Sequence, residues 1–561
     1  MPSLRARILL WSSLSGLLWA LAWPAVGGIT WLAFIAWLPL LHAERLHDQR
    51  AGGRRIPFYP YALPGFFIWN ALATWWFFAV SEPMVTKVVS VAVPVLGNTL
   101  LMGIPWWLSR WVKRTAGARW GRLALPVLWL AFERLHHDWD LQWPWLSLGN
   151  AFAAQPAWVQ WYEHTGALGG TVWVWAVSLA LQAMLLAWPH RRRMALALGA
   201  ATALAVSLPI GGSVHRFNQY RHDQGRPMEV VVVQPNIDPY REKFGGMDAL
   251  EQLERMLALA EPHITGNTRL VVFPETALQE TGTVNMTEGG LLFNGLWEND
   301  LPSARSVQRL QAFQQQHPGV AVLCGMSSDR WFRGEGDRPL TARRIGDSPY
   351  WYEAYNAALW MPAQGGIESY HKSKLVAGVE LMPFEEVLGP LGTLALDLGG
   401  TTGSLGQQEE RSVLRDASSD LAIVPAICYE SVFGEHIAAH VRNGGSLIAV
   451  MTNDGWWGDS PGYRQHLTFS SLRAIETRRD VVRSANTGIS CVVDQRGIVR
   501  QGTDWWVPTA FAATVRLNEE VTFFVRHGDL IGRSASWLAL ALLLATAIRS
   551  AQARVRPRPR A

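Results

Sequence analysis

Residues 8–43 contain no Asp, Glu, Lys or Arg. A run of that length exceeds one membrane crossing, because about 20 residues at 1.5 Å each span the hydrocarbon of a bilayer. The Pro24-Ala25-Val26-Gly27-Gly28 break in its middle reads as a turn, so the run predicts two short helices in a hairpin. Its apolar character continues well past the h-region of a cleavable signal peptide. Further spans are predicted over 61–80, 88–108, 123–135, 169–188, 194–210 and 530–548. Glu133 and Arg134 interrupt the 123–135 segment, and an intramembrane ion is a functional candidate by default. Here the two read more simply as a structural ion pair near the end of the span.

Loop charge decides whether 123–135 counts as a span. Basic residues cluster at Arg5/Arg7, at Arg45/Arg50/Arg54/Arg55, at Arg110/Lys113/Arg114/Arg119/Arg122, at Arg191/Arg192/Arg193, and at Arg549/Arg554/Arg556/Arg558/Arg560. Loops 81–87 and 136–168 carry almost none. If basic loops face the cytoplasm, successive clusters must be separated by an even number of crossings. Eight spans satisfy that rule, and omitting 123–135 breaks it between Arg122 and Arg191. The expected layout is seven transmembrane helices over 1–213, an extracytoplasmic domain over 228–524, and a last transmembrane helix over 529–549. A basic, Pro-interleaved, disordered cytoplasmic tail follows over 550–561. The tryptophan-rich loop 139–162 reads as an interfacial belt or half-inserted segment.

Composition agrees with a chain that is half membrane and half soluble. Charged residues make up 17% against about 25% in soluble chains, and there are 30 tryptophans. That excludes a disordered or nucleic-acid-type chain. The mean hydropathy of +0.06 is what an apolar half averaged with a polar half produces. Cys324, Cys428 and Cys491 have no ligand spacing, which argues against a disulfide framework and against any metal site. No phosphate-binding glycine loop and no G-x-S-x-G elbow occurs to suggest a nucleotide or serine-hydrolase site.

In the polar half, short β-branched runs at 230–233, 270–273, 320–323, 357–361, 421–427, 447–451 and 489–493 read as strands. Helical periodicity is expected at 247–260, 307–315, 435–442 and 467–483. Continuous apolar strands alternating with helices predict an α/β domain with a helix-covered sheet. Two strands end in a reactive residue, where sites form in open α/β sheets. Val271-Val272-Phe273-Pro274-Glu275 delivers a carboxylate, and Ile427-Cys428-Tyr429-Glu430 delivers a thiol followed by another carboxylate. Between them, Tyr370-His371-Lys372-Ser373-Lys374 supplies ammonium groups, with Glu380 downstream. A carboxylate can accept the proton of a thiol whose pKa is about 8.5 when free. An ammonium beside it favours thiolate and can stabilise an oxyanion.

Glu…Lys…Cys in this order, carried on F-P-E, Y-x-K-x-x-L and I-C-Y-E, resembles the nitrilase (carbon–nitrogen hydrolase) superfamily. The whole chain resembles its membrane branch, the apolipoprotein N-acyltransferase family. Supporting stretches are Trp143-Pro144-Trp145-Leu146-Ser147-Leu148-Gly149, Gln234-Pro235-Asn236-Ile237, Tyr355-Asn356-Ala357-Ala358-Leu359, Asn453-Asp454-Gly455-Trp456-Trp457-Gly458 and Arg483-Ser484-Ala485-Asn486-Thr487-Gly488.

The resemblance implies a nitrilase-like αββα sandwich inserted into an eight-helix transmembrane bundle of a bacterial inner membrane, with the sandwich in the periplasm. It implies Glu275 as general base, Lys372 as oxyanion-stabilising lysine and Cys428 as nucleophile. Glu380 and Glu430 match acids kept near the triad, and Tyr429 would offer its backbone N–H to the oxyanion. Phe244, Trp456 and Trp457 are candidate lid or acyl-chain contacts. The implied reaction moves an acyl chain from a membrane phospholipid, through a Cys thioester, to the α-amine of a diacylglyceryl-cysteine apolipoprotein. The enzyme is expected to be a monomer in the bilayer, with no cofactor, metal or nucleic-acid partner. The family commonly reads L-V-P-F-G-E where this chain has Leu375-Val376-Ala377-Gly378-Val379-Glu380. That departure bears on how rigid the loop is. A membrane-tethered amidase acting on a small amide would use the same triad, and a non-catalytic lipoprotein-binding scaffold is a third reading.

Overall fold

A computed structural model describes residues 3–51, 56–81, 83–243, 246–286, 289–334, 336, 338–345, 347–384 and 404–555. Arg54, Arg55, Phe244 and the tail from 556 lie outside them. The chain forms two compact units, Met1–Gln219 with His527–Ala561, and Tyr220–Arg526.

The first unit is helical: α1 (Leu4–Ala22), α2 (Leu38–Ala51), α3 (Tyr59–Thr74), α4 (Met84–Ala116), α5 (Ala118–Leu135), α6 (Leu168–Ala187), α7 (Arg192–Gln219) and a C-terminal helix, Leu530–Val555. Five helices among the described residues are long and apolar enough to cross a bilayer: Tyr59–Ala79, Met84–Ala116, Leu168–Ala187, Arg192–Gln219 and Leu530–Arg554. The second arm of the first hairpin differs from the expected helix. It is a 3-10 turn, Thr30–Phe34, followed by α2, which runs on into the charged residues Glu44 to Arg50.

Lipid tails are as apolar as leucine, so helices in a bilayer associate by close packing and hydrogen bonds rather than by exclusion of water. Both devices are present. At the α1–α3 crossing a Cβ added to Gly16 would meet the Gly65 carbonyl oxygen at 2.0 Å, and one on Gly65 would meet the Ser12 carbonyl oxygen at 2.5 Å. The Ser12 hydroxyl donates to the Ala62 carbonyl at 3.2 Å and accepts from the Gly65 amide at 3.1 Å. Further in, Trp37 is ringed by Trp19, Trp69, Trp106, Trp129 and Trp175, with ring centroids 4.8 to 6.0 Å away. All six indoles are buried. Many tryptophans of this half therefore form the core of the unit rather than a belt at its rim.

The 139–162 loop also departs from a surface belt. Residues 144–153 are continuously buried in 3-10 turns, as irregular backbone in a membrane unit must be. Glu133 holds this segment. Its carboxylate accepts from the Leu148 amide at 2.9 Å, from the Trp129 indole at 2.8 Å and from the Thr171 hydroxyl at 2.6 Å. Arg134 instead pairs with Asp138 and, at 3.4 Å, with Asp529. The expected Glu133–Arg134 ion pair is thus replaced by two separate roles, because the two side chains leave α5 on different faces.

The second unit is a four-layer αββα sandwich. One sheet runs in the order β16-β1-β2-β6-β8-β7, built from β1 (Arg226–Gln234), β2 (Thr268–Val272), β6 (Ala321–Arg333), β7 (Arg343–Arg344), β8 (Tyr350–Met361) and β16 (Thr509–Leu517). β5 (Leu296–Trp297) pairs with β6 and β9 (Glu368–His371) with β8, while β3 (Thr281–Met286) and β4 (Gly289–Asn294) form a separate hairpin. The other sheet runs β10-β11-β12-β13-β14-β15, from β10 (Leu414–Asp416), β11 (Leu421–Ile427), β12 (Leu447–Thr452), β13 (Val481–Ala485), β14 (Cys491–Val493) and β15 (Val499–Gly502).

Strand alternation sorts the core into layers. Val230, Val232, Leu270 and Val272 meet Ile423, Ile427, Leu447 and Met451 between the sheets. Val231, Val233, Val271 and Phe273 face helices Ala249–Ala260 and Arg305–Gln316. Val424, Ala426, Ile448 and Val450 face helices Gly434–Arg442 and Pro461–Thr477. The expected helix 467–483 is overrun at its end. It stops at Arg478, which turns left-handed at φ 52°, and Val481–Ala485 is the strand β13.

The glycine crossing is testable. Gly65→Leu places a branched side chain against Ser12 backbone that cannot retreat. It should destabilise the full-length protein by roughly 1–3 kcal/mol or more, the cost of an overpacked site, read as a lower thermal unfolding midpoint in micelles. An unchanged midpoint would mean that α1 and α3 do not cross there.

Candidate active site

The parallel strands end on one side of the sandwich, and the proposed triad lies on the loops that leave them. Beyond β2 the chain turns at Pro274-Glu275-Thr276, with Thr276 at φ 46°. Gly325 of β6 permits this, since a Cβ there would meet the Pro274 carbonyl oxygen at 2.5 Å and Glu275 Cα at 2.6 Å. Glu275 is buried. Its Oε1 accepts from Asn356 Nδ2 at 2.8 Å and from Lys372 Nζ at 3.3 Å, and its Oε2 accepts from the Asn453 amide at 3.1 Å.

Lys372 follows β9, and its amide donates to the Asn356 carbonyl at 2.9 Å. Its ammonium, 1% exposed, also donates to Glu380 Oε1 at 2.8 Å. Asn356 Nδ2 reaches the same Glu380 oxygen at 2.9 Å, so one amide bridges the two carboxylates. Burial by itself would lower the lysine pKa, but Glu380 and Glu275 outweigh it and hold the group above its ordinary value. Lys374 points elsewhere, its ammonium 5.1 Å from the centre of the Phe433 ring. The loop with Ala377 in place of proline is closed by other means. Glu380 Oε2 accepts from the Val376 amide at 2.8 Å, the Glu380 amide donates to the Val376 carbonyl at 2.9 Å, and the Gly378 amide to the Leu381 carbonyl at 2.7 Å.

Cys428 ends β11 in a left-handed turn at φ 49°, an uncommon conformation for a side-chain-bearing residue. Such backbone persists where its surroundings over-determine it, and here they do. The Cys428 carbonyl accepts from the Ser431 hydroxyl at 2.8 Å and from His466 Nε2 at 3.0 Å. His466 Nδ1 lies 3.0 Å from Asp454 Oδ1, and Arg483 donates to Asp454 Oδ2 at 2.5 Å. Burial would raise the Asp454 carboxyl, but Arg483, His466 and Thr452 bring it down to about 2. The thiol itself is pushed well up by burial and by Glu275, with Lys372 and Thr452 pulling the other way. These surroundings favour the neutral thiol over the thiolate.

Glu430 does not face the same space. Fully buried, it accepts from the Tyr370 hydroxyl at 2.7 Å, the Ser373 amide at 2.6 Å and the Ile427 amide at 2.8 Å. It thereby ties the lysine loop to the cysteine turn. Burial works to raise its pKa, and the neighbouring His436 ring and these amides overcome it, to about 2. The Tyr429 ring is buried against Phe433 at 5.1 Å. Trp456 packs edge-on to Tyr240 at 5.2 Å, and Trp457 lies 5.8 Å from the His466 ring. Both tryptophans are half-buried, and Phe244 lies outside the described residues.

Sequence reasoning assigned no role to Lys243, Asn356, His466 or Arg483. Lys243 donates to the Glu275 carbonyl at 3.0 Å and to the Thr276 hydroxyl at 2.5 Å, clamping the turn that carries Glu275. Burial lowers its pKa to about 8. Asn356 and Arg483 sat inside noted stretches, but only the fold reveals what they touch. Cys324 and Cys491 are buried within β6 and β14. Among the described residues no group of His, Cys, Asp and Glu side chains could hold a metal ion.

The carbon–nitrogen hydrolase model matches residues 229–521 and the apolipoprotein N-acyltransferase N-terminal domain model matches residues 15–180. The apolipoprotein N-acyltransferase of Chlorobaculum tepidum is 30% identical over 96% of this chain and 96% of its own. That of Geobacter metallireducens is 25% identical over 93% of this chain and 92% of its own. Among solved structures, Saccharomyces cerevisiae Nit3, a member of branch 10 of the nitrilase superfamily, aligns at 14% identity and a TM-score of 0.34, covering 56% of this chain and 98% of that one. Similarity that runs through both the helical unit and the sandwich makes the chain a member of the apolipoprotein N-acyltransferase family, an acyltransferase built on a carbon–nitrogen hydrolase fold.

Proposed function

We propose that this acyltransferase works in two half-reactions through a thioester on Cys428, taking its acyl chain from a membrane phospholipid. The observation that carries the reading is the buried Lys372 ammonium held between Glu275 and Glu380. Glu275 takes the Cys428 proton as the sulfur attacks the ester carbonyl. The oxyanion that forms is met by Lys372 Nζ and the Tyr429 amide. The intermediate collapses by breaking the C–O bond, and the departing lysophospholipid oxygen takes the proton from Glu275. In the second half the neutral α-amine of a diacylglyceryl-cysteine attacks the thioester. Glu275 accepts a proton from that nitrogen, the C–S bond breaks, and the thiolate is reprotonated. Phospholipid and lipoprotein exchange in one site, so neither must displace the other while both are bound.

The family match spans the helices as well as the catalytic unit, which a merely tethered amidase would leave unexplained. Charge parity supports eight spans in an inner membrane. Seven would lie over 1–213 and one over 529–549, enclosing a periplasmic catalytic domain over 228–524 and leaving the 550–561 tail in the cytoplasm. The spans keep a monomeric enzyme in the plane where both lipid substrates diffuse. Phe244, Trp456 and Trp457 are the proposed acyl-chain contacts.

Mass spectrometry of the full-length protein in micelles with phospholipid alone should find one acyl mass on the Cys428 peptide, removable by neutral hydroxylamine. Cys428→Ala should abolish it, and Cys324→Ala and Cys491→Ala should not. Lys372→Ala should slow acylation by about a hundredfold, the order of 3 kcal/mol for a lost oxyanion donor, with Lys374→Ala much milder. Acyl transfer without any acyl-enzyme in the unsubstituted protein would sink the covalent route.

His466→Phe removes the donor to the Cys428 carbonyl and should slow acylation roughly tenfold, the worth of one buried hydrogen bond, with KM little changed. His466→Gln, which keeps a donor, should recover part of the rate. Equal rates for Phe and Gln would mean that the ring only fills space.

Reporter fusions at Gly117 and His190 should report cytoplasm, and those at His136 and Gly225 the outer side. A cytoplasmic signal at Gly225 would overturn the orientation.

A further inference from the structure

The helical unit contains a second site that the acyl-transfer chemistry does not use. Where α2 meets α4, four charges close into a ring. Arg110 donates to Glu44 at 2.9 Å and to Asp48 at 2.8 Å, and Lys113 donates to the same two carboxylates at 2.9 Å and 2.6 Å. Two positive and two negative charges cancel within hydrogen-bond distance, so this ring locks the helices together and carries no net charge.

Beside the ring lies a cavity of about 280 Å³, lined by faces of α2, α4, α5 and α6. Its lining residues recur at helical spacing. Leu41 and Arg45 share one face of α2 with Glu44 and Asp48, Arg122 and Leu125 share a face of α5, and Leu179 and Leu186 share a face of α6. The α6 wall is Leu179, Gln182 and Leu186, aliphatic at two of its three residues. Arg45 and Arg122 also line the cavity. Both are exposed, and among the described residues neither is paired with a carboxylate. With the ring neutral, these two guanidiniums leave the cavity an uncompensated charge of about two, set against a hydrocarbon wall. Basic pockets between membrane helices are where acidic lipid headgroups bind. The volume falls just below the roughly 300–1,000 Å³ of small-molecule pockets, which suits a headgroup and its glycerol rather than a whole two-chain lipid.

We propose that this cavity holds the headgroup of an anionic phospholipid, its phosphate between Arg45 and Arg122 and its acyl chains along the leucines of α6. The charge excludes a choline or other cationic headgroup, because the second cation of a zwitterion would face the arginines. The aliphatic wall favours a lipid over a free phosphate ion. The site is built only from helices of the membrane unit and contains none of Glu275, Lys372 and Cys428. It rests on those helices being membrane-embedded and not on the thioester chemistry, so failure of the one leaves the other standing.

The test uses the full-length protein in neutral detergent micelles, titrated with phosphatidylglycerol, phosphatidylcholine or inorganic phosphate. Native mass spectrometry and the thermal midpoint are the readouts. Phosphatidylglycerol should stay bound as a one-lipid adduct and raise the midpoint by several degrees, and phosphatidylcholine should do neither. Arg45→Ala with Arg122→Ala should weaken phosphatidylglycerol retention at least tenfold. Arg192→Ala with Arg193→Ala removes the same charge outside the cavity and should leave retention within twofold. Gln182→Trp, which fills the cavity without touching a charge, should also block the adduct and covers the case in which the arginine variant fails to fold. Four results would each overturn the proposal: equal binding of phosphatidylcholine, an adduct that survives both cavity variants, equal loss in the Arg192/Arg193 control, or the same midpoint shift from phosphate alone.

Discussion

A lysine ammonium buried between two carboxylates is the interaction on which the rest of the catalytic unit depends. Removing three charges from water costs several kcal/mol per ion unless each is met by partners in good geometry. Lys372 has Glu275 and Glu380, Glu275 has the Asn453 amide, and Glu380 has the Val376 amide. Asn356 spans the gap between the carboxylates. These partners come from β8 and from the loops after β9 and β12, so the cluster of Lys372 with its two carboxylates can be assembled only once both sheets have packed. Assembly of this cluster and folding of the sandwich are in this sense one event.

A second buried set stands behind Cys428. Arg483, Asp454 and His466 run in a line from β13 to the Cys428 carbonyl, while Glu430 ties the cysteine turn to the lysine loop. None of these groups need meet substrate. They hold a left-handed cysteine in place, the arrangement expected where backbone strain is kept at a functional site. Pre-organised donors cost no rearrangement when charge develops, which is where most of their catalytic worth lies.

The parts of this that were legible in sequence follow from local rules. Short continuous apolar runs marked the strands β1, β2, β11 and β12, and a reactive residue just beyond a strand end singled out Glu275 and Cys428. What stayed hidden depended on distant partners. Nothing local says that Asn356 reaches two carboxylates, or that Lys243 folds back onto Glu275. Helical periodicity ran through residue 483 because Arg478 carries no helix-breaking signature, yet it turns left-handed and lets Val481 and Val482 enter a sheet. Glu133 and Arg134 are neighbours in sequence, but α5 sends them to a loop amide and to Asp138 and Asp529, and adjacency was misleading there. The tryptophans of the 139–162 loop were read by the habit of their type at interfaces, whereas Trp145 is buried within the unit, and no local signal marked the six indoles that share a buried centre.

That centre has an evolutionary consequence. Trp37 touches five other indoles at once, and residues in mutual contact do not respond independently to substitution. Shrinking any one plate opens space against several others, while enlarging any one is barred by the same neighbours. Drift at these positions should therefore be concerted, with paired or triple exchanges tolerated where single ones are purged. The aromatic core would then act as an epistatic block within a bundle whose lipid-facing positions are free to vary.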